Sequence, residues 1–397
     1  MTQGTCIKSM PGSGIVVVAC AALDMPGFVA ALVETASTND FAALAVFFSP
    51  RYEAQTLARS LVRDVPIPVQ IGCSTAGEIG PFGIDSGGAV ALLFPTDCFC
   101  CVANVVTRIS EQGFDNGAAC ASALVDRLRE SIGGEIAGAA FALTLVDGLS
   151  AREEIMVSAF QAGLRTLPHI GGSAGDGLAF REAWLIYNGE AYRDAALLCL
   201  FHSRVPFRVF KSDHYEPTEI RLVVTDCDAE KRIVREFNGA PAAREYAEAV
   251  GLDPAALTPM SFAAHPLVVR IGGDHFCRSV RCMEADGLAF FCAIDNGVVL
   301  TLARSHDMAE SVERTLAALD KELGGTDMVL GFNCILRRIE AENGQSLHLI
   351  ADVYSRYNVV GFNTYGEQYK SMHINQTFSG IAFGQGPARE SPPKTDE

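Results

Sequence analysis

The sequence contains no apolar run near the roughly 18 residues that a membrane-spanning helix needs. Its opening, Met1 to Gly14, lacks the basic-then-apolar layout of a secretory signal. It has no Lys/Arg-rich segment, and its formal net charge is −16. Nucleic acids and anionic membranes are bound mainly through basic residues, so neither is expected as a partner. The dinucleotide fingerprint GxGxxG and the P-loop GxxxxGK(S/T) are both missing. The nucleophile-elbow spacing GxSxG fails around Ser74; Gly171-Gly172-Ser173-Ala174-Gly175 has that spacing but too few catalytic partners in the sequence to read as an elbow. The CxxCH haem-attachment signal is absent too.

What is present is apolar material. Hydrophobic residues make up 49 % of 397 and charged residues 20 %, enough for large cores in two or three domains. Thirteen Cys, an odd number, read as reduced thiols of a cytoplasmic protein rather than a disulfide framework. The densest cluster, Cys98-Phe99-Cys100-Cys101, has no distal partner pair to complete a metal site, and reads as a strand with small buried side chains.

Apolar strands alternate with amphipathic helices, which indicates an α/β protein. A unit also recurs. The strand 44–48 leads through a helix near 53–63 to the strand 68–71 and the turn Gly72-Cys73-Ser74-Thr75-Ala76-Gly77-Glu78. The strand 139–146, a helix near 151–164 and a short link end in Ile170-Gly171-Gly172-Ser173-Ala174-Gly175-Asp176. A looser copy runs from the strand 328–334 through one helix to Gly361-Phe362-Asn363-Thr364-Tyr365-Gly366-Glu367. Periodicity breaks around 205–220, which sets a domain boundary there: 15–212 and 213–385. The polar, Pro-rich tail 386–397 is expected to be disordered.

Glycine turns after strands can cradle an anion on outward backbone N–H groups, or can simply be tight turns that only glycine permits. The first reading makes Gly72, Ser74, Glu78, Gly172, Ser173, Asp176, Asn363 and Glu367 pocket candidates, with the three acids facing one shared site. Of the eight His, most sit in strands or turns. His214 lies at the domain junction, where ligand sites are favoured. His373 follows the third turn. Either imidazole can be a metal ligand or a hydrogen-bonded structural group.

Taken together, the turns at 72–78 and 170–176, Glu236-Phe237-Asn238-Gly239-Ala240-Pro241-Ala242, His265-Pro266-Leu267 and the turn at 361–367 resemble the bacterial FIST domains of signal transduction. The likeness covers about 15–385. Within that family, Lys211 to Thr218 and Tyr365 to Phe378 resemble NosP, the nitric-oxide-sensing haem proteins. The resemblance implies two FIST domains of mixed sheets flanked by helices around a cleft. It further implies haem b on His214 or, second, His373, nitric oxide as ligand, and a partner histidine kinase or cyclic-di-GMP enzyme (diguanylate cyclase or phosphodiesterase). It is compatible with a homodimer. The rival reading is a sensor of an amino acid or other small polar metabolite, with Glu78, Asp176 and Glu367 gripping an ammonium group. A hydrolase or transferase using a Cys or Ser nucleophile ranks last, so no enzymatic activity is expected.

Overall fold

The computed structural model describes residues 4–21, 23–111, 113–271, 273–285 and 287–386. The expected tail therefore lies almost wholly outside the described residues. The fold is α/β, as expected, with mixed sheets flanked by helices. No helix among the described residues is long and apolar enough to cross a membrane.

Three copies of one unit build the body. The first runs through the strand Val16–Cys20, helix α1 (Met25–Ala36), the strand Phe41–Phe48, α2 (Ala54–Asp64) and the strand Val69–Ser74. It continues in a small hairpin, Glu78–Gly80 with Gly83–Asp85, and returns as the strand Ala89–Pro95. The second repeats this order with Phe99–Thr107, α3 (Phe114–Ile132), Ala140–Asp147, α4 (Glu153–Leu164) and His169–Ala174. Its hairpin is Leu185–Tyr187 with Glu190–Tyr192, and its return strand is Ala195–Ser203.

The third unit opens with the strand Phe207–Ser212 and is then interrupted. Residues 215–305 form an antiparallel sheet of their own, with α5 (Ala242–Val250) and α6 (Pro259–Ala264). The insertion has its own apolar core around Val234, Phe237, Tyr246, Phe262 and Leu288. The unit then resumes with α7 (Met308–Leu323), the strand Thr326–Cys334, α8 (Ile335–Asn343), α9 (Leu347–Arg356) and the strand Val359–Thr364. Its hairpin is Glu367–Tyr369 with Met372–Ile374, and its return strand is Phe378–Gly384. Where the sequence predicts one helix after residue 334 there are two, broken at Gly344 and Gln345; Gln345 has φ +55°. Strands on both sides of the 212/213 boundary share a sheet, because Phe207–Ser212 pairs with Phe378–Gly384.

In each unit the two strands flanking a helix are parallel, and the return strand lies antiparallel to the first. The hairpins are exchanged in a ring. The first unit's hairpin joins the third unit's sheet, the second's joins the first's, and the third's joins the second's. The strands are apolar on both faces, so both must be covered. In Phe41–Phe48 all eight residues are buried. One face of each sheet turns inward to a common core that includes Phe47, Phe94, Phe141, Phe201, Phe332, Phe362 and Phe383. The other face carries that unit's helices. Phe47 and Phe362, from different units, have ring centroids 4.7 Å apart. None of the thirteen Cys is in a disulfide, and seven of them are buried.

Candidate functional site

The three glycine turns occupy equivalent places, at the carboxyl ends of the parallel strands, and they meet. The Gly175 N–H donates to the Ser74 carbonyl at 3.1 Å, Tyr365 to Ser173 at 3.4 Å and Ala76 to Asn363 at 2.8 Å, closing a ring of backbone bonds. The first glycine of each turn has the same steric cause. A Cβ at Gly72, Gly171 or Gly361 would overlap the carbonyl oxygen of Val46, Thr144 or Gly331 on the parallel neighbour. A Cβ at Gly172 would meet the rings of Phe362 and Phe332.

The polar residues of the turns are bonded within the protein. Ser74 Oγ accepts from the Trp184 N–H at 2.9 Å, and Ser173 Oγ accepts from Gln368 at 2.8 Å. Asn363 accepts from Asn333 at 2.9 Å and donates to the Gly77 carbonyl at 3.2 Å. Each acid ties down the loop that follows it. Glu78 accepts from Thr75 and from the Gly87 and Gly88 amides. Asp176 accepts from the amides of Phe180, Arg181 and Glu182 and from the Tyr365 hydroxyl. Glu367 accepts from the Thr377 amide and hydroxyl. Burial pushes Glu78 up to about 7 despite its hydrogen bond from Thr75. Burial also pushes Asp176 upward, but the Tyr365 hydroxyl and the three amides outweigh it and hold the carboxyl below the usual range. Burial pushes Glu367 up to about 8.

A hydrogen-bonded chain runs outward from this junction. Asn333 Oδ1 accepts from Tyr354 at 3.3 Å and from Arg337 Nε at 3.0 Å. Arg337 Nη1 donates to His214 Nδ1 at 2.7 Å, so the imidazole proton sits on Nε2 and is donated to Glu340 at 2.9 Å. Burial, and then the Arg337 charge, hold His214 below its ordinary value, hence neutral. His214 stands at the root of the insertion, where its carbonyl accepts from the His306 N–H at 2.6 Å.

The insertion lies against the same end of the body. Arg232 bridges Glu153 at 2.9 Å and Glu154 at 2.6 Å in the first turn of α4. The Ala293 N–H reaches Glu154 at 2.6 Å, and Gln376 donates to the carbonyls of Ala263 at 3.1 Å and Phe262 at 3.5 Å. Tyr215 reaches the Asn375 carbonyl at 3.4 Å.

Buried polar atoms without a protein partner concentrate here. Six of the twelve such side-chain atoms among the described residues are Glu367 Oε1, Gln368 Oε1, His373 Nδ1, Asn375 Oδ1 and Ser379 Oγ, within thirteen residues, together with Arg337 Nη2. Such atoms require a partner of some kind, water or ligand. Of the residues expected from sequence, the structure gathers Ser173, Asn363, Glu367, His214 and His373 around this region. Glu78 and Asp176 are turned into their own loops. Sequence reading overlooked Arg337, Asn333, Arg232 and Gln376. Their only signal was polarity inside otherwise apolar segments.

A haem can be tested against these side chains. Both ring nitrogens of His214 are engaged and its side chain is fully buried. His373 has a free Nδ1, and burial lowers it to about 4, so it is a neutral imidazole. Its ring, however, packs so close to Gly366 that even a Cβ there would overlap Cε1 and Nε2. As packed, these residues do not fit a haem. Nor is there a group of three or more His, Cys, Asp or Glu among the described residues arranged to hold a metal ion.

Residues 42–240 match the model of the FIST N domain, and residues 242–370 that of the FIST C domain. The chain is also similar to an uncharacterized protein of Methanocaldococcus jannaschii, 25 % identical over 255 residues, covering 55 % of this chain and 49 % of that protein. The chain thus spans about half the length of this curated relative.

Proposed function

Because the chain belongs to the FIST family of signal-transduction sensor domains, we propose that it senses a small polar metabolite held between the glycine turns and the inserted domain. The observation that carries this reading is the concentration of unpartnered buried polar atoms from Arg337 and residues 367–379. A solvated protein interior does not leave so many polar groups without partners unless something else satisfies them. The chain acts by binding rather than catalysis. Its buried thiols support this: burial pushes Cys73, Cys199 and Cys334 well above the ordinary range, away from a reactive thiolate. The output goes to a separate signalling protein, a histidine kinase or a cyclic-di-GMP enzyme. Thirteen Cys without a disulfide favour a cytoplasmic location.

A second reading, a haem b sensor of nitric oxide, is favoured by the unpartnered Nδ1 of His373. It requires the turn at Gly366 to move off that ring. One experiment separates the two. Purified protein expressed with haem supply is scanned for a Soret band and screened by thermal shift against amino acids, amines and carboxylates. Ligand-dependent stabilisation of colourless protein supports the metabolite. A Soret band lost in His373→Ala supports haem. Neither response refutes both.

A further inference from the structure

Arg337 is fully buried, yet among the described residues it pairs with no carboxylate. Its Nε and Nη1 bind neutral acceptors, Asn333 and His214, and its Nη2 has no partner. A buried cation left so is expensive, by several kcal/mol. Glu340 offsets the charge only from the far side of the His214 ring.

Arg337 is the third residue of α8 and folds back over that helix's start, since Nε reaches Asn333. A helix start carries partial positive charge and free N–H groups. At the equivalent start of α2 the protein supplies the Glu53 carboxylate, and at α4 it supplies Glu153 and Glu154. The first turn of α8 has no acidic residue, and its cap, Cys334, makes no side-chain capping bond. Glu367 lies beside it, within reach of the Arg337 field and the Cys334 thiol. Glu367 Oε1 is also unpartnered.

Resting on the sensor reading above, we infer that Arg337 and Glu367 form the anion-receiving half of the ligand site, and that the ligand carries a monocarboxylate. A planar carboxylate matches the two-pronged edge of a guanidinium. Its second oxygen can accept a hydrogen bond from the O–H of Glu367, which is a neutral acid at pH 7 because burial lifts it to about 8. A phosphate dianion would need more donors than Arg337 and Glu367 supply. Tyr215 and residues 375–377 roof the region, so entry requires the insertion to lift at its root. Because His214 joins Arg337 to that root, an anion drawing on the guanidinium is felt there directly.

The test uses the full chain and two isosteric probes, acetate and acetamide, with sodium chloride as ionic control. Acetate should raise the melting temperature of the wild type, and neither acetamide nor chloride should reproduce the rise. Arg337→Met should weaken acetate by at least about tenfold, a small part of what a desolvated charge contact is worth. Should that variant fold poorly, Glu367→Gln decides. Wild-type affinity for acetate should fall as pH rises through 8, and the variant should lose that fall. No response to acetate, an equal response to acetamide or chloride, or an unchanged response in Arg337→Met overturns the inference. Stabilisation by amines alone also removes it, while leaving the sensor reading standing.

Discussion

The opening glycines show how a single residue decides the local structure. Gly72, Gly171 and Gly361 each bring two parallel strands together where a methyl group would overlap a carbonyl oxygen. Relief requires the strands to part, and both strands are held by neighbours. Gly361→Ala should therefore destabilise the protein by about 3 kcal/mol, the upper range for overpacking, as read by urea denaturation. Gly133→Ala is the control: φ is +63° there but nothing lies near a Cβ, so about 1 kcal/mol is expected. Glu367 makes a pH prediction. Its folded value, about 8, lies above its ordinary 4.5. The folded state therefore binds the proton more tightly, and the stability this contributes is complete below pH 4.5 and lost as pH rises through 8. Glu367→Gln should flatten the stability profile between pH 5 and 8 in denaturation series, and an unchanged slope would show that Glu367 ionises normally. These glycines and acids could be picked out from their repetition in the sequence. Arg337 could not, because in Ile335-Leu336-Arg337-Arg338 it resembles the exposed face of a helix, and only packing against His214 buries it.

Among elements, the contact of the insertion with α4 is the most informative. Arg232 has φ +58° and only a tenth of its side chain exposed, and it serves two carboxylates. Burial pushes Glu153 up to about 7 even with Arg232 opposing the shift. Arg232→Ala would leave that carboxyl without its cation, at a cost of about 3–5 kcal/mol if the insertion stays docked. Undocking is the cheaper response. Hydrogen exchange should therefore accelerate at 289–294 and 375–377, while the strand Phe41–Phe48 keeps its protection. A uniform rise across the chain would mean that body and insertion unfold as one. The end of α7 facing the insertion depends on Asp307, whose carboxylate accepts from the Glu310 N–H at 2.7 Å. Asp307→Ala should cost about 1 kcal/mol. Such a cap has a local pattern, an Asp directly before a helical run. The Arg232 contact joins residues nearly eighty apart and had no such local signature.

For the molecule as a whole, the ring of exchanged hairpins means that no unit completes its own sheet. A fragment ending at residue 204 would keep two units but lose the strands that pair with His169–Ala174 and with the hairpin 78–85. Open edges of that kind favour association over folding. We expect the fragment to aggregate on gel filtration. Removing 216–304 and joining the ends with a short glycine linker should leave a cooperative body, since Tyr215 and Ser305 are already paired across the gap. Near-native far-UV dichroism and one melting transition would bear this out. The sequence by itself determined the α/β character, the three turn-bearing units and the polar residues within them, because apolar periodicity and close strand approach are local demands. It could not reveal the exchange of hairpins, the insertion's place over the strand ends or the burial of Arg337. Those depend on which surfaces meet, and a hairpin's residues read the same whether it pairs with its own sheet or a neighbour's.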